Sequence, residues 1–585
     1  MKKTIKFILG ICIASMATVS CEGFLDTVSY TDSNTSNFPA SAEDAQQLVT
    51  GIYATFNYSL YELCGTNYWM FANVASDDVF GGGGADDIDI QAVDHLLYND
   101  KNYQAEYWTN CYNGIGRANM AIANLDKVQD EELRNQLIGE ARILRAYYYF
   151  NLTQMFEQVP LVTKVPENVG AAQQYPKLGT VEEIYGAIAA DLKEAIENMP
   201  STPLVPVTGK GHVTKWVAEG LLGRVYLFYT GFYSDKLSQS ITTLPVYDFE
   251  KDELSSETID KTYVTEKIND CVNNSGHKLL DDFRQLWAYS NEETAKDFPL
   301  MAGSTDYWVK DLEGTEDMFD VCCGTSHHQE NKMCVYVGLR QGSRTEKLFP
   351  LTYGYGFAPV NPDLYNNWES SDIRRKGSVY CLATDAPDPA GYVQGYDNAL
   401  EDSNLYQMKE MAFQAKINGK YFFESLSSAK YYGDGIKDLG RKYNPSNLTL
   451  MRFAEILLIQ SELTSTVDGI NKVRQRAKLP TIGSYSLEAL QNERRHELAF
   501  EGLRWGDMRR WGKAYCIAAL KSQLGQPIKN YANDVTMKDQ GAGYEARYNA
   551  TWGFRDYPES EISLSNGVLK SKDGWDNSAF MDSWK

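Results

Sequence analysis

The chain has 585 residues, enough for a large interior and, by length alone, for two to four domains. Its formal net charge of −22 makes nucleic acid and anionic membrane surfaces poor partners. Aromatic residues are 12% of the chain, with 39 Tyr and 11 Trp, so many must lie at least partly at the surface, where they suit binding.

Residues 1–20 read as a targeting segment. Lys2, Lys3 and Lys6 precede an apolar run over 7–19 that is too short to span a bilayer. Small residues then lead into Cys21, an arrangement similar to a bacterial lipobox, with Thr18 where Leu is usual. Cys21 is therefore the expected lipidation site and new N-terminus, anchoring the chain through acyl chains. The alternative is an ordinary secretory signal with a chance Cys. Residues 21–40 are rich in Ser, Thr, Asn and Asp and form a tether. Eight cysteines remain beyond Cys12 and Cys21: Cys64, Cys111, Cys271, Cys322, Cys323, Cys334, Cys381 and Cys516. Their spacing names no disulfide framework, and no Cys/His set has zinc spacing. The adjacent His327 and His328 fall in a loop and give little support to a metal site.

Ser41 caps a helix that begins with Glu43 and Asp44 and continues through Leu48, Ile52 and Phe56. Residues 79–100 break the pattern with Gly81 to Gly84 and the acids Asp86, Asp87, Asp89, Asp94 and Asp100. The glycines lack the Lys-Ser/Thr of a phosphate loop. The acids could gather calcium, though without EF-hand spacing; no other cofactor is expected. Helical spacing returns over 107–128, 131–156, 181–199 and 214–232. Glu140, Arg145 and Tyr147 recur in order as Glu219, Arg224 and Tyr226, as repeated helix hairpins would require, although chance similarity of two amphipathic helices explains this equally well. From 234 to 443 periodicity fades, Gly, Pro, Asn and Asp interrupt often, and aromatics cluster, which suggests ordered functional loops. Helix resumes over 447–463 and 470–477.

Residues 492–511 (NERRHELAFEGLRWGDMRRW) put Arg494, Glu497, Glu501 and Arg504 on one helical stripe. The spacing predicts Arg494–Glu497 and Glu501–Arg504 pairs in a structural ion ladder walled by apolar groups. A catalytic Glu497/Glu501 pair is disfavoured, because an arginine beside each would hold it ionised. Gly502 and Gly506 weaken the helix and could bend or end it.

Five stretches in order resemble the SusD/RagB family of Bacteroidetes outer-membrane nutrient-binding lipoproteins: CEGFLD at 21–26, EARILRAYYYF at 140–150, RFAEILL at 452–458, NKVRQRA at 471–477, and 493–511. PDLYNNWE at 362–369, DIRR at 372–375, PESEI at 558–562 and GW at 574–575 extend the match to the C-terminus. Glu22 and Asp26 beside Cys21 are similar to the export tag of surface lipoproteins of this group. The resemblance implies a mainly α fold: a tetratricopeptide-like helical hairpin scaffold carrying a loop-rich irregular subdomain. It implies no catalysis. Family members sit at the cell exterior, lipid-anchored in the outer membrane, capture oligosaccharides or other nutrients, and pass them to a SusC-like TonB-dependent transporter. On this basis 1–20 is the signal, 21–40 the tether, 41–233 an N-terminal helical region, 234–443 a loop-rich ligand-facing region, and 444–585 a C-terminal helical region and tail.

The family motifs are scaffold, so ligand residues must be sought in the loops. Sugar rings present apolar C–H faces and polar rims, which suit aromatic platforms with polar neighbours. The candidates are Trp69, Trp287, Tyr289, Tyr307 and Trp308, with Tyr68, Asn73 and Asp306 at the rim. Tyr353, Tyr355 and Phe357 precede a family segment and are expected to be structural. Two other functions fit less well. A surface glycoside hydrolase needs two carboxylates across a cleft, and no hydrolase motif or barrel pattern supports it. A binder of peptide or another non-sugar nutrient differs from a glycan binder only in the ligand.

Overall fold

A computed structural model describes residues 38–61, 65–202, 211–290, 315–323, 331–340, 353–386, 399–411, 415–417, 420–422, 447–531 and 533–585. Cys21, the tether up to residue 37, Asp306, Tyr307, Trp308, His327 and His328 lie outside the described residues.

The first helices are α1 (Ala42–Tyr61), α2 (Tyr68–Val74), α3 (Ile88–Asp94), α4 (Ala105–Asn124), α5 (Glu131–Phe156), α6 (Val181–Asn198) and α7 (Lys215–Lys236). Antiparallel strands β1 (Thr243–Asp248) and β2 (Glu253–Asp260) precede α8 (Lys261–Asn274). Next come β3 (Asp317–Val321), α9 (Met333–Tyr336), the parallel pair β4 (Leu339–Arg340) and β5 (Tyr353–Gly354), and α10 (Ile373–Ser378). Strand β6 (Leu448–Arg452) opens the C-terminal part, followed by α11 (Phe453–Thr464), α12 (Asp468–Arg476), α13 (Leu487–Leu498), α14 (Arg504–Arg510), α15 (Lys513–Lys521) and α16 (Tyr544–Thr551).

Successive scaffold helices are spatial neighbours. Helix α1 packs on α4, α4 on α5, α5 on α6, α6 on α7, α7 on α8, α8 on α11, and α11 on α12. The result is the expected mainly α stack of helix hairpins around one large apolar interior. Local chemistry sets the boundaries. Ser41 Oγ accepts from the Asp44 amide at 3.1 Å, Asp130 caps α5, and Thr180 with Glu183 forms a capping box on α6. Residues 143–156 of α5 are buried on every face, because α1, α4, α6 and α7 surround it. The two similar sequence blocks fall on α5 and α7. Arg145 bonds Asp191 of α6, and Arg224 bonds Glu455 of α11. Among the described residues no helix is long and apolar enough to cross a membrane. Cys111, Cys271, Cys323, Cys381 and Cys516 are free thiols.

Three local expectations change. Residues 448–452 are strand, not helix, because β6 pairs antiparallel with β3, a partner far upstream that helical periodicity cannot register. Helix α8 lies within the stretch expected to be loop-rich; only Val264, Ile268 and Cys271 are buried along it, too narrow a stripe to stand out. The single helix over 492–511 is two helices, α13 and α14. Phe500 (φ 68°) and Gly502 (φ 74°) adopt left-handed backbone between them.

That break redirects the charged side chains. Arg494 and Glu497 do not pair with each other, nor do Glu501 and Arg504; each reaches a distant segment. Glu497 receives Arg452 at 3.0 Å, Arg374 at 3.1 Å, and Arg476. Glu501 receives Arg452 through two nitrogens at 2.8 Å and Lys409 at 2.6 Å. Glu316 receives Arg452 at 2.6 Å and Arg476 at 3.1 Å, and Glu493 receives Arg374 at 2.6 Å. Arg504 grips Asp77 bidentately at 2.7 and 2.9 Å, and Arg494 bonds Asp507 at 2.7 Å. All of these side chains are buried. The surrounding guanidinium groups outweigh burial and hold Glu497 and Glu501 below the usual carboxylate range, and hold Asp77 down at about 2. His496 stacks on Trp368 at 4.7 Å, and burial followed by the Arg374 charge lowers it to about 3.

Glu497→Gln leaves three buried guanidinium groups short of an anion, so urea unfolding should show a loss of about 3–5 kcal/mol. Glu545→Gln, at the exposed Lys521–Glu545 pair, should leave the midpoint unchanged. The lowered carboxylates and His496 act in the same direction with pH. Each binds protons more readily in the unfolded chain, so its contribution is complete above its unfolded pKa and is lost as pH falls toward its folded one. His496 should therefore pull the urea midpoint down from about pH 6.5 and the lowered carboxylates below about pH 4.5, against Glu219 and Glu410, whose carboxyls burial raises to about 8 and which act the other way. His496→Phe should flatten the upper part of that decline.

Candidate functional site

The predicted platforms that are described lie inside the protein. Trp69 (6% exposed) packs against Gly502 and borders an interior cavity of about 40 Å³ together with Tyr68. Asn73, expected at a ligand rim, instead ties the turn between α13 and α14, donating to the Phe500 carbonyl and accepting from the Gly502 amide. The Trp287 ring (4% exposed) lies 4.9 Å from Lys409 Nζ and 5.6 Å from the Arg452 guanidinium. It covers the ion network by cation–π attraction, and Tyr289 is fully buried in the same small apolar cluster. Trp287 is drawn inward because buried cations favour a flat polarisable ring over them, whereas Trp69 and Tyr289 fill the apolar interior.

Another aromatic set is formed by Tyr336, Tyr355 and Phe357. Helix α9 starts where Asn331 Oδ1 accepts from the Met333 amide at 2.9 Å. The stretch after β5 is stitched back onto it. The Tyr355 amide donates to the Val335 carbonyl, Gly356 to Gly338, and Phe357 to Tyr336, each at 2.8 Å. Glycine is required at 354, where a Cβ would sit 2.2 Å from the Val335 carbonyl oxygen. This stitching gathers three rings. Tyr336 meets Tyr355 edge-on at 5.4 Å and Phe357 edge-on at 5.1 Å. Phe357 is buried, whereas Tyr355 is 42% exposed. Tyr103 joins the group beside Gly65, whose carbonyl accepts from its hydroxyl at 2.9 Å.

A polar border stands beside these rings. Arg340 Nη1 donates to the Tyr355 carbonyl and to Asp87 Oδ2, both at 3.0 Å, and Asp86 lies 3.6 Å from Nη2 with its side chain largely in solvent. Burial raises Asp87, which also accepts from the Gly84 amide at 2.7 Å. The glycine run 81–84 is the foundation of this border. It passes as a ribbon bridged to the rest at Val79–Val360, Gly82–Phe357 and Gly84–Ala399. Gly82 has φ +72°, and a Cβ there would meet the Gly356 carbonyl oxygen at 2.4 Å, so no other residue fits. The remaining loop acids take separate partners: Asp89 accepts from the Asp100 amide, and Asp94 from the Gly81 amide and the Tyr544 hydroxyl.

The other large exposed rings among the described residues compare poorly. Phe580 offers no hydroxyl, and its neighbours Tyr98 and Trp575 are buried. Among the described residues Tyr355 alone combines exposure with adjoining rings, a guanidinium and carboxylates. From the sequence Tyr355 is expected to be structural because it precedes a family segment; the spacing of aromatics at 353, 355 and 357 is the signal that could have singled it out.

Two family models match the chain. One, described as starch-binding associating with outer membrane, covers residues 23–227; the other, the SusD family, covers 362–575. A SusD-like protein, P2, of Formosa agariphila is 25% identical over 439 residues, spanning 70% of this chain and 72% of that one. A SusD-like protein of Bacteroides ovatus is 23% identical, spanning 74% and 70%. Among solved structures, a laminarin-binding SusD-like protein superposes with a TM-score of 0.66 at 22% identity, covering 91% of this chain and 99% of that one. Surface glycan-binding protein A from Bacteroides thetaiotaomicron, in complex with laminarihexaose, gives 0.64 at 16% identity with the same coverage.

Gly354→Ala should push β5 off α9. Hydrogen exchange should then show lost protection of the Tyr355 and Phe357 amides, while α5 keeps its protection.

Proposed function

Because the chain belongs to the SusD family, we propose that it is a non-catalytic surface protein that captures glycan oligosaccharides. The observation that carries this reading is the exposed Tyr355 ring set against Tyr336, with Arg340 bonded to the Tyr355 carbonyl and Asp86 beside the guanidinium. A ring face of this kind takes the C–H face of a sugar, and the flanking charges bond its hydroxyls. Similarity to proteins whose names specify laminarin and laminarihexaose supports an oligosaccharide as the ligand class. Glu497 and Glu501 are unsuited to act as a catalytic acid pair, since each is held ionised by bonded cations and has no proton to donate.

Family members associate with the outer membrane. For this chain, we propose a lipid on Cys21, exposure to the cell exterior, and delivery of the bound glycan to a SusC-like TonB-dependent transporter. The small residues before Cys21 and the short apolar run preceding them support the anchor.

Titration calorimetry against laminari- and xyloglucan oligosaccharides should detect binding without release of reducing ends. Tyr355→Ala should weaken affinity at least about tenfold, or 1.4 kcal/mol, with unchanged circular dichroism. Tyr58→Ala, at an exposed ring on α1, should bind as wild type. Liberated reducing ends, or wild-type binding by Tyr355→Ala, would overturn the respective part of this reading.

A further inference from the structure

Below the glycine ribbon lies a group of side chains that glycan capture does not use. Asp94 closes α3, His95 follows it, and Glu401 comes from the segment bridged to Gly84. Their potential ligand atoms all lie within 4.8 Å of one another, and the three side chains are at most 1% exposed. His95 Nε2 is 3.2 Å from Glu401 Oε1. The second carboxylate oxygens face the ribbon: Asp94 Oδ2 accepts from the Gly81 amide at 3.2 Å, and Glu401 Oε2 from the Gly82 amide at 2.8 Å. The Tyr544 hydroxyl donates to Asp94 Oδ1 at 3.0 Å, and its ring stacks on His95 at 5.3 Å.

The charge balance sets this group apart. The buried carboxylates of Asp77, Glu497 and Asp507 are each bonded by arginine, whereas Asp94 and Glu401 form no Arg or Lys ion pair among the described residues. Asp539, which accepts from the Tyr544 amide, adds a further negative charge nearby. Among the described residues two buried polar atoms also stand without a hydrogen-bond partner: His95 Nδ1, and the acceptor Oε1 of Gln91, one turn earlier on α3. A buried excess of negative charge beside an imidazole and an unsatisfied amide oxygen is an environment that a cation completes.

We propose that Asp94, His95 and Glu401 bind a divalent first-row transition cation of the zinc class, with Gln91 Oε1 as a fourth donor. One imidazole and two carboxylates suit zinc, manganese or iron(II), with bonds of about 2.0–2.2 Å. Calcium takes six to eight oxygens, which this set does not offer. The ion pins α3 to the Glu401 segment on either side of the ribbon that carries Asp87 and Arg340. Its role is therefore structural, and its binding energy is folding energy.

The test uses the purified chain, treated with EDTA and then titrated with zinc chloride, read by metal analysis and thermal melting. The expected result is one tightly held equivalent, a melting temperature several degrees higher with zinc than with EDTA, and loss of both effects in His95→Gln and Glu401→Gln. Cobalt(II) in the wild-type chain should give a d–d spectrum without a thiolate charge-transfer band, which separates this site from the cysteines even if a variant fails to fold. The proposal is overturned if wild type holds no stoichiometric metal, if both variants take up as much as wild type, or if cobalt shows thiolate ligation.

Discussion

Glu497 is the anion on which the C-terminal half is assembled. Three guanidinium groups meet its carboxylate, from α10, from the end of β6 and from the end of α12. Arg452 is shared onward with Glu316 and Glu501, so five separate segments close on one cluster of charges. Burying such charges costs several kcal/mol each, and the cost is offset only when every partner is in place. The network is thus all-or-none, and it favours the native arrangement over alternatives that strand even one charge. The turn at Phe500 and Gly502 makes it possible by pointing Glu501 back at Arg452 while sending Arg504 toward Asp77.

This constraint also decides the fate of the aromatics. Trp287 and Phe283 lie over Lys409, with Arg452 and Arg476 within cation–π reach of one ring or the other. A ring in that role is unavailable to a ligand. The binding surface is built instead where the backbone, not a side-chain charge, fixes the geometry: Tyr355 is held by hydrogen bonds to 335–338 and by glycines that permit contact closer than a Cβ would allow. The glycine ribbon does the same for Arg340 and Asp87, since a substituted residue at 82 would collide with main chain rather than with a movable side chain. Scaffold and site therefore follow different rules, one electrostatic and one steric.

The sequence by itself determined the helical scaffold. Periodicity placed α5 and α6 almost to the residue, because that signal acts within a turn or two of the chain. It also identified 492–511 as a stretch of interior charges, and the ordered set of motifs carried the family. What only the tertiary structure decided was who meets whom. Arg494 and Glu497 lie three apart, yet their partners sit on other segments, and Leu448–Arg452 became a strand because β3 was there to pair with it. Trp69, Trp287 and Tyr289 had the composition of a binding site but not its position. Residue type reports what a side chain can bond; exposure and partnership depend on segments far away in the chain, and the local pattern holds no record of them.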